Sequence, residues 1–214
     1  MINVCLSHDI DRIDKTYQYI TKPLKALKRG NLTLFVKQLL SPLFIRHPYW
    51  GFDKIIKIEE KYCVRSTCFF LNEGIKLDLR KPKTIKLSLG RYKINEKRII
   101  NIIHNLDSNG WEIGVHGSYL SYNDSNLLKQ EKTILEKIVG HEVRGVRQHY
   151  LNWNDNTWQI QSESGFKYDS TWGFTENIGF KDGHITPFFP IQNTHFCEIP
   201  MIVMDSCFDQ KTDN

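Results

Sequence analysis

No stretch of this sequence is both apolar and long enough to cross a bilayer. The most apolar window, residues 32–45, carries Lys37 and Pro42 and falls short of the roughly 20 residues that a spanning helix needs. Equally missing is a basic N-terminal region followed by an apolar run. No secretory leader is expected, and a reducing cytoplasm is the expected compartment. Cysteine is sparse, with five residues, an odd number without regular spacing. No Cys-x-x-Cys pair occurs, which argues against a thiolate zinc site. Cys5, Cys63, Cys68 and Cys197 lie in or beside apolar runs, where cysteine acts as a small buried hydrophobe. Despite a net charge of +5 there is no stripe of interleaved basic and aromatic residues, so nucleic acid is not an expected partner. Internal repeats and low-complexity tracts do not occur.

What is present fits one globular domain spanning residues 1–214, because 40% hydrophobic and 25% charged residues suffice for a sizeable core. The apolar run Ile2-Asn3-Val4-Cys5-Leu6 predicts a first strand. Residues 13–48 are basic and amphipathic, punctuated by Pro23, Gly30 and Pro42, and read as short helices or an excursion over one end of the fold. Helical spacing predicts a helix over residues 52–62, and β-favouring side chains predict a strand over 64–71. Residues 75–92 read as a basic loop. A helix over 95–106, capped by Asn95 and burying Ile99, Ile102, Ile103 and Leu106, stops at Asn109-Gly110 and leads to a strand over 111–115. Further helices are predicted over 127–139 and 157–164, and further strands over 143–146, 166–169 and 198–204. Strand followed by helix, repeated with short turns, predicts a parallel sheet or an α/β barrel.

In such folds the working residues gather at the carboxyl ends of strands. Polar groups recur there: Asp9 and Asp11, then His116, then Arg147 and His149, then Asp169. In Ser7-His8-Asp9-Ile10-Asp11-Arg12, two carboxylates and an imidazole crowd four residues, a conflict that a bound divalent cation removes. Strand alternation directs Asp9 and Asp11 to one side. A cation held by Asp and His with open positions activates water and polarises a carbonyl oxygen, while a neighbouring carboxylate takes the proton. On that chemistry Asp11 and His116 are the expected ligands and Asp9 the base. Arg147 is the expected partner of Asp9, and Trp172 with Tyr150 or Trp153 the wall for a sugar ring. Each has an ordinary reading as well: an Asx turn for the aspartates, a backbone partner for His116, a structural ion pair for Arg147, and a capped turn with a core tryptophan for Tyr168-Asp169-Ser170-Thr171-Trp172. His104 and His141 fall on or beside helices and stay outside the set.

Together these stretches resemble the NodB-homology polysaccharide deacetylases, carbohydrate esterase family four, and within them the branch found among bacterial surface-polysaccharide biosynthesis proteins. The resemblance is carried by Ser7-His8-Asp9-Ile10-Asp11-Arg12, Arg65-Ser66-Thr67-Cys68-Phe69-Phe70-Leu71 and Trp111-Glu112-Ile113-Gly114-Val115-His116-Gly117-Ser118-Tyr119. It continues in Gly145-Val146-Arg147-Gln148-His149-Tyr150-Leu151, Gly165-Phe166-Lys167-Tyr168-Asp169-Ser170-Thr171-Trp172 and Glu198-Ile199-Pro200-Met201. It implies a distorted (β/α) barrel and a divalent metal, zinc being expected. The implied reaction is removal of an acetyl group from an N-acetylated sugar, on a nucleotide- or lipid-linked glycan. It further implies that Asp9 is the base, Asp11 and His116 metal ligands, Arg147 the residue orienting the base, and Asp169 and Trp172 part of the site wall.

Three departures qualify the match. Leu120 stands where the family carries a second histidine, so His149 is taken as the third ligand, ahead of water or a side chain from residues 121–124. Met201 stands where the family carries a histidine acid, leaving His184 or His195 as substitutes. The chain also ends soon after its last predicted strand, so a final helix and strand of the barrel are expected to be missing. The first two motivate an alternative, a catalytically inactive carbohydrate-binding pseudoenzyme of the same fold. A phosphotransferase using Asp9 as nucleophile and Asp11 as acid, as haloacid-dehalogenase-like enzymes do, leaves His116 and Arg147 unexplained.

Overall fold

A computed structural model of the chain describes residues 4–44 and 49–209, without the side chains of residues 42–44, 206 and 209. The strands are β1 (Ser7–Ile10), β2 (Thr67–Leu71), β3 (Glu112–Gly117), β4 (Gly145–Gln148), β5 (Tyr168–Asp169) and β6 (Cys197–Glu198). The helices are α1 (Gln18–Lys28), α2 (Leu32–Phe44), α3 (Phe52–Lys61), α4 (Pro82–Ser88), α5 (Lys97–Ser108), α6 (Ser125–Val139), α7 (Thr157–Glu163) and α8 (Ser206–Asp209). Two compact units are formed: Met1–Ile10, Arg65–Asn72 and Ile94–Asn214 make the first, and Asp11–Val64 with Glu73–Lys93 make the second.

The first unit is built on one sheet in the order β1-β2-β3-β4-β5-β6, every neighbouring pair parallel. Each crossover steps one strand in the same direction. Right-handed crossovers then lay α5, α6 and α7 on one face, the winding of a barrel wall rather than of a doubly wound sheet. Among the described residues β6 does not pair with β1, so this wall is open. Helices α5 and α6 pack on β3 and on each other, and α7 packs on α6 and β5. The contact is made by Ile99, Ile103 and Leu106 of α5 and Leu128 and Leu135 of α6, all buried. Helix α6 ends at Gly140, whose φ of +83° few other residues adopt without strain.

Register and alternation sort the strand residues. Phe70, Val115 and Val146 share a row, and Asp169 and Glu198 continue it. Asp9, Phe69 and Gly114 share the preceding row and so face the opposite side. On that side a Cβ at Gly114 would lie 2.5 Å from the Phe69 ring, and one at Gly145 would lie 2.3 Å from the Tyr168 ring. The glycines make space for these aromatic rings. The Tyr168 hydroxyl donates to Glu112 Oε2 at 2.8 Å, and the Thr67 hydroxyl donates to the same oxygen at 2.7 Å.

In the second unit α1 and α2 pack as a hairpin, and Ile13, Ala26, Phe52, Leu87 and Tyr92 are buried. The Arg12 guanidinium donates to the carbonyls of Lys86 and Leu89.

Several elements differ from the sequence expectation. The first strand is Ser7–Ile10 rather than residues 2–6, because β2 supplies pairing partners only from Thr67 onward. Residues 4–6 carry no strand and are exposed, and Ile2 and Asn3 lie outside the described residues. Helix α4 forms within the expected loop, with Pro82 pre-setting its first turn and Leu87 giving it a buried anchor. Helix α5 has Glu96 rather than Asn95 at its N-cap position, without a side-chain capping bond. The last strand stops at Glu198, since Pro200 has no N–H for a ladder and the N–H of Glu198 already donates to Phe188. Cys68 and Cys207 are buried, but Cys5 and Cys63 are exposed and Cys197 is half-buried.

Candidate functional site

Arg147 is the centre of the arrangement. It pairs in register with His116, two residues along from the row of Asp9, so Asp9, His116 and Arg147 share the face opposite the helices. The buried guanidinium is held by Ser170, Nε donating to its carbonyl at 2.8 Å and Nη2 to its hydroxyl at 2.9 Å. It lies 4.7 Å from the centre of the Phe69 ring. Nη1 is thereby aimed at Asp9 Oδ1, to which it donates at 2.9 Å. A planar fork fixed on two sides cannot swing, so it sets the orientation of the carboxylate. The Asp9 side chain keeps 21% of its surface exposed, enough to meet water or substrate.

Two buried imidazoles meet nearby, His116 in β3 and His149 just beyond the end of β4. His116 Nδ1 lies 2.9 Å from the carbonyl of Arg147, which can only accept, so Nδ1 carries the hydrogen and Nε2 of the neutral ring holds a lone pair. That Nε2 is 3.0 Å from His149 Nδ1, with the rings at 82°. Two nitrogens bound tetrahedrally to one zinc at about 2.0–2.1 Å stand roughly 3.3 Å apart. The pair therefore fits a shared divalent cation, with the carbonyl anchoring the outer nitrogen as such sites require. Among the described residues, one group of His, Cys, Asp and Glu donors is close enough to share a cation, and both histidines belong to it.

His149 leaves β4 in a tight turn over His149–Leu151 in which Tyr150 and Leu151 have φ of +59° and +51°. Left-handed backbone at two consecutive non-glycine residues is costly and is found where a fold holds functional groups in place. The half-exposed Tyr150 ring packs 4.2 Å from His149 and 5.9 Å from Tyr119. Asp11 is the first residue after β1 and opens the second unit. There Arg91 donates to its backbone carbonyl at 2.9 Å and stands 3.6 Å from its carboxylate.

Asp169 takes the other face. It is fully buried in the row of Val146 and Glu198, and accepts from the Thr171 hydroxyl at 2.5 Å. Glu198 accepts from the Trp158 indole at 2.8 Å and from the Trp172 backbone N–H at 3.1 Å. Burial first, and then the Asp169 charge, push the Glu198 carboxyl up to about 10, and burial raises Asp169 too. Both carboxyls are thus pushed toward their protonated forms. Trp172 packs against Trp153 and Trp158 at 4.8 and 5.1 Å, and Lys181 Nζ stands 3.7 Å from its ring centre. His184 stacks on Phe188 at 4.1 Å beside Trp158. His195 is exposed. Leu120 is exposed, and Met201 donates its backbone N–H to Trp172. Sequence reasoning missed Glu198 and Trp158 as members of this cluster. The one available signal was a glutamate at the end of a strand otherwise destined for burial. A cavity of about 510 Å³, lined by Asp107, Glu112, His141 and Arg144, lies at the amino ends of β3 and β4, the opposite end of the strands.

The fold and these side chains define an α/β protein whose singly wound parallel sheet presents a histidine pair and an arginine-held aspartate at its strand ends. No family model matches the chain, and no curated protein matches it. Among solved structures it is similar to a Mycobacterium smegmatis protein assigned as a polysaccharide deacetylase, at 18% identity and a TM-score of 0.49, covering 92% of this chain and 57% of that one. It is also similar to a Streptococcus pyogenes deacetylase in complex with acetate, at 13% identity and a TM-score of 0.43, covering 76% and 64%. A third is the polysaccharide deacetylase Bc1974 of Bacillus cereus, at 16% identity and a TM-score of 0.38, covering 56% and 54%. The chain spans between about half and two thirds of the length of these structures.

Proposed function

We propose that residues 1–214 form a deacetylase domain of the NodB-homology kind. In this reading it is a metal-dependent hydrolase that removes an acetyl group from an N-acetylated sugar during surface-polysaccharide biosynthesis. A cytoplasmic setting is in keeping with its five free thiols. The observation that carries the reading is the buried imidazole pair, His116 Nε2 at 3.0 Å from His149 Nδ1, on a sheet that also carries the Arg147–Asp9 pair.

His116, His149 and Asp11 are the residues that would hold the cation, zinc in this reading. Asp11 enters this set from the resemblance, as the residue that directly follows β1. The cation, when bound, polarises the acetyl carbonyl and makes water a better nucleophile. The remaining work belongs to the chain. Asp9 accepts the proton of the attacking water, with Arg147 holding the carboxylate in position. A backbone N–H of the strained turn at Tyr150 steadies the oxyanion. As the C–N bond breaks and acetate forms, the proton held on Asp9 is available to the leaving amine, since Met201 occupies the place of the family's acid. Tyr150 and Trp172 offer aromatic faces to the sugar.

The test joins two readouts, metal content and acetate release from chito-oligosaccharides. Wild-type protein reconstituted with zinc is expected to hold about one ion per chain and to release acetate. The double variant His116→Ala, His149→Ala should lose both. Asp9→Asn should keep the ion and lose at least about 100-fold in turnover. Full metal content in the double histidine variant would sink the site. Leu120 and Met201 favour a second reading, a carbohydrate-binding pseudoenzyme, which predicts glycan binding with no acetate released whatever divalent ion is supplied.

A further inference from the structure

Residues 15–52 contain seven lysines and arginines and neither aspartate nor glutamate, more positive charge than the net +5 of the whole chain. Within this stretch α1 and α2 are wound with their apolar stripes outward. Ile20, Leu24 and Leu27 follow i, i+4, i+7 spacing along α1, and Leu32, Val36 and Leu39 repeat it along α2. All six are between 48% and 67% exposed. A helix that packs on a core buries such a stripe. Here the buried positions among the described side chains are Gln18, Pro23 and Ala26 of α1 and Ser41 of α2, and Lys15 Nζ donates to Gln38 and Ser41. Small and polar groups face in, and large apolar ones face water.

We propose that this hairpin is a docking surface for an anionic lipid bilayer. Leucine and isoleucine stripes interleaved with Lys22, Lys25, Lys28 and Lys37 match the boundary between acyl chains and acidic headgroups. Helices of 11 and 13 residues are too short to span, so they lie in the plane of the interface. A second copy of the chain fits this face poorly, because Lys22, Lys25, Lys28 and Lys37 would meet like charges. The hairpin would hold the protein where lipid-borne substrates are presented, but the inference stands whether or not the chain is a deacetylase.

Co-sedimentation of the full chain with vesicles tests it directly. Protein should pellet with equimolar phosphatidylglycerol–phosphatidylcholine vesicles in about 0.1 M salt and stay in solution with phosphatidylcholine alone. The triple variant Lys22→Glu, Lys25→Glu, Lys28→Glu should weaken partitioning by more than about 100-fold, at roughly fivefold per lysine. The variant Leu24→Ser, Leu27→Ser, Leu39→Ser should weaken it by at least about tenfold with an unchanged far-ultraviolet circular dichroism spectrum. Equal recovery from both vesicle types, or partitioning unmoved by either variant, overturns the proposal. So does a wild-type dimer that binds no vesicles and becomes monomeric in the serine variant.

Discussion

At the scale of single residues, the burial of the Asp169 and Glu198 carboxyls side by side makes a testable claim about pH. In the unfolded chain both carboxyls are ionised above their ordinary range, whereas in the fold burial raises both and pushes Glu198 up to about 10. The folded state therefore binds the extra proton over that window, and stability falls as pH rises, by at most about 1.4 kcal/mol per pH unit. Below the ordinary carboxyl range the penalty vanishes. Asp169→Asn removes one charge and supplies an amide that can donate to Glu198. The decline in Tm between about pH 6 and about pH 9 should become shallower in this variant. A slope parallel to wild type would show that the pair does not hold the proton. This cluster also marks the limit of what the sequence disclosed about the site. Asp9, His116, Arg147 and His149 are visible in it as polar groups near strand ends, and the structure brings Arg147 to Asp9 and His116 to His149. The face taken by Asp169 is set by its register with Val146 across a two-residue strand, which no local pattern reveals. The positive φ of Tyr150 and Leu151 is equally silent, because nothing in those residue types announces it.

At the scale of elements, helices α5 and α6 were legible because long amphipathic periods leave little ambiguity. The parallel α/β class followed from their alternation with short apolar strands. Strand β1 and helix α4 were misplaced for opposite reasons. An apolar run is no strand without a partner, and a basic stretch becomes a helix once Pro82 starts it and Leu87 is buried. Tight spacing between strands is itself a prediction. Gly114→Ala drives a methyl group into the Phe69 ring, on which Arg147 rests, and should cost about 1–3 kcal/mol in denaturant unfolding. A loss within a few tenths of a kcal/mol would mean that Phe69 can move aside freely.

At the scale of the whole molecule, cation binding and folding should be linked. A ligand that binds only the folded chain adds about 2.7 kcal/mol when present at 100 times its Kd. Zinc should therefore raise the Tm of wild type, a chelator should reverse the rise, and the His116→Ala, His149→Ala protein should respond to neither. An unchanged wild-type Tm across a zinc titration would count against any structural cation at this site. The strand order bears on how the molecule is made. Because β1 through β6 lie side by side in the order of the chain, each new strand leaving the ribosome finds its neighbour already delivered and adds to a growing edge. Of these six strands, none has to wait for another still untranslated or be inserted between two that have already joined.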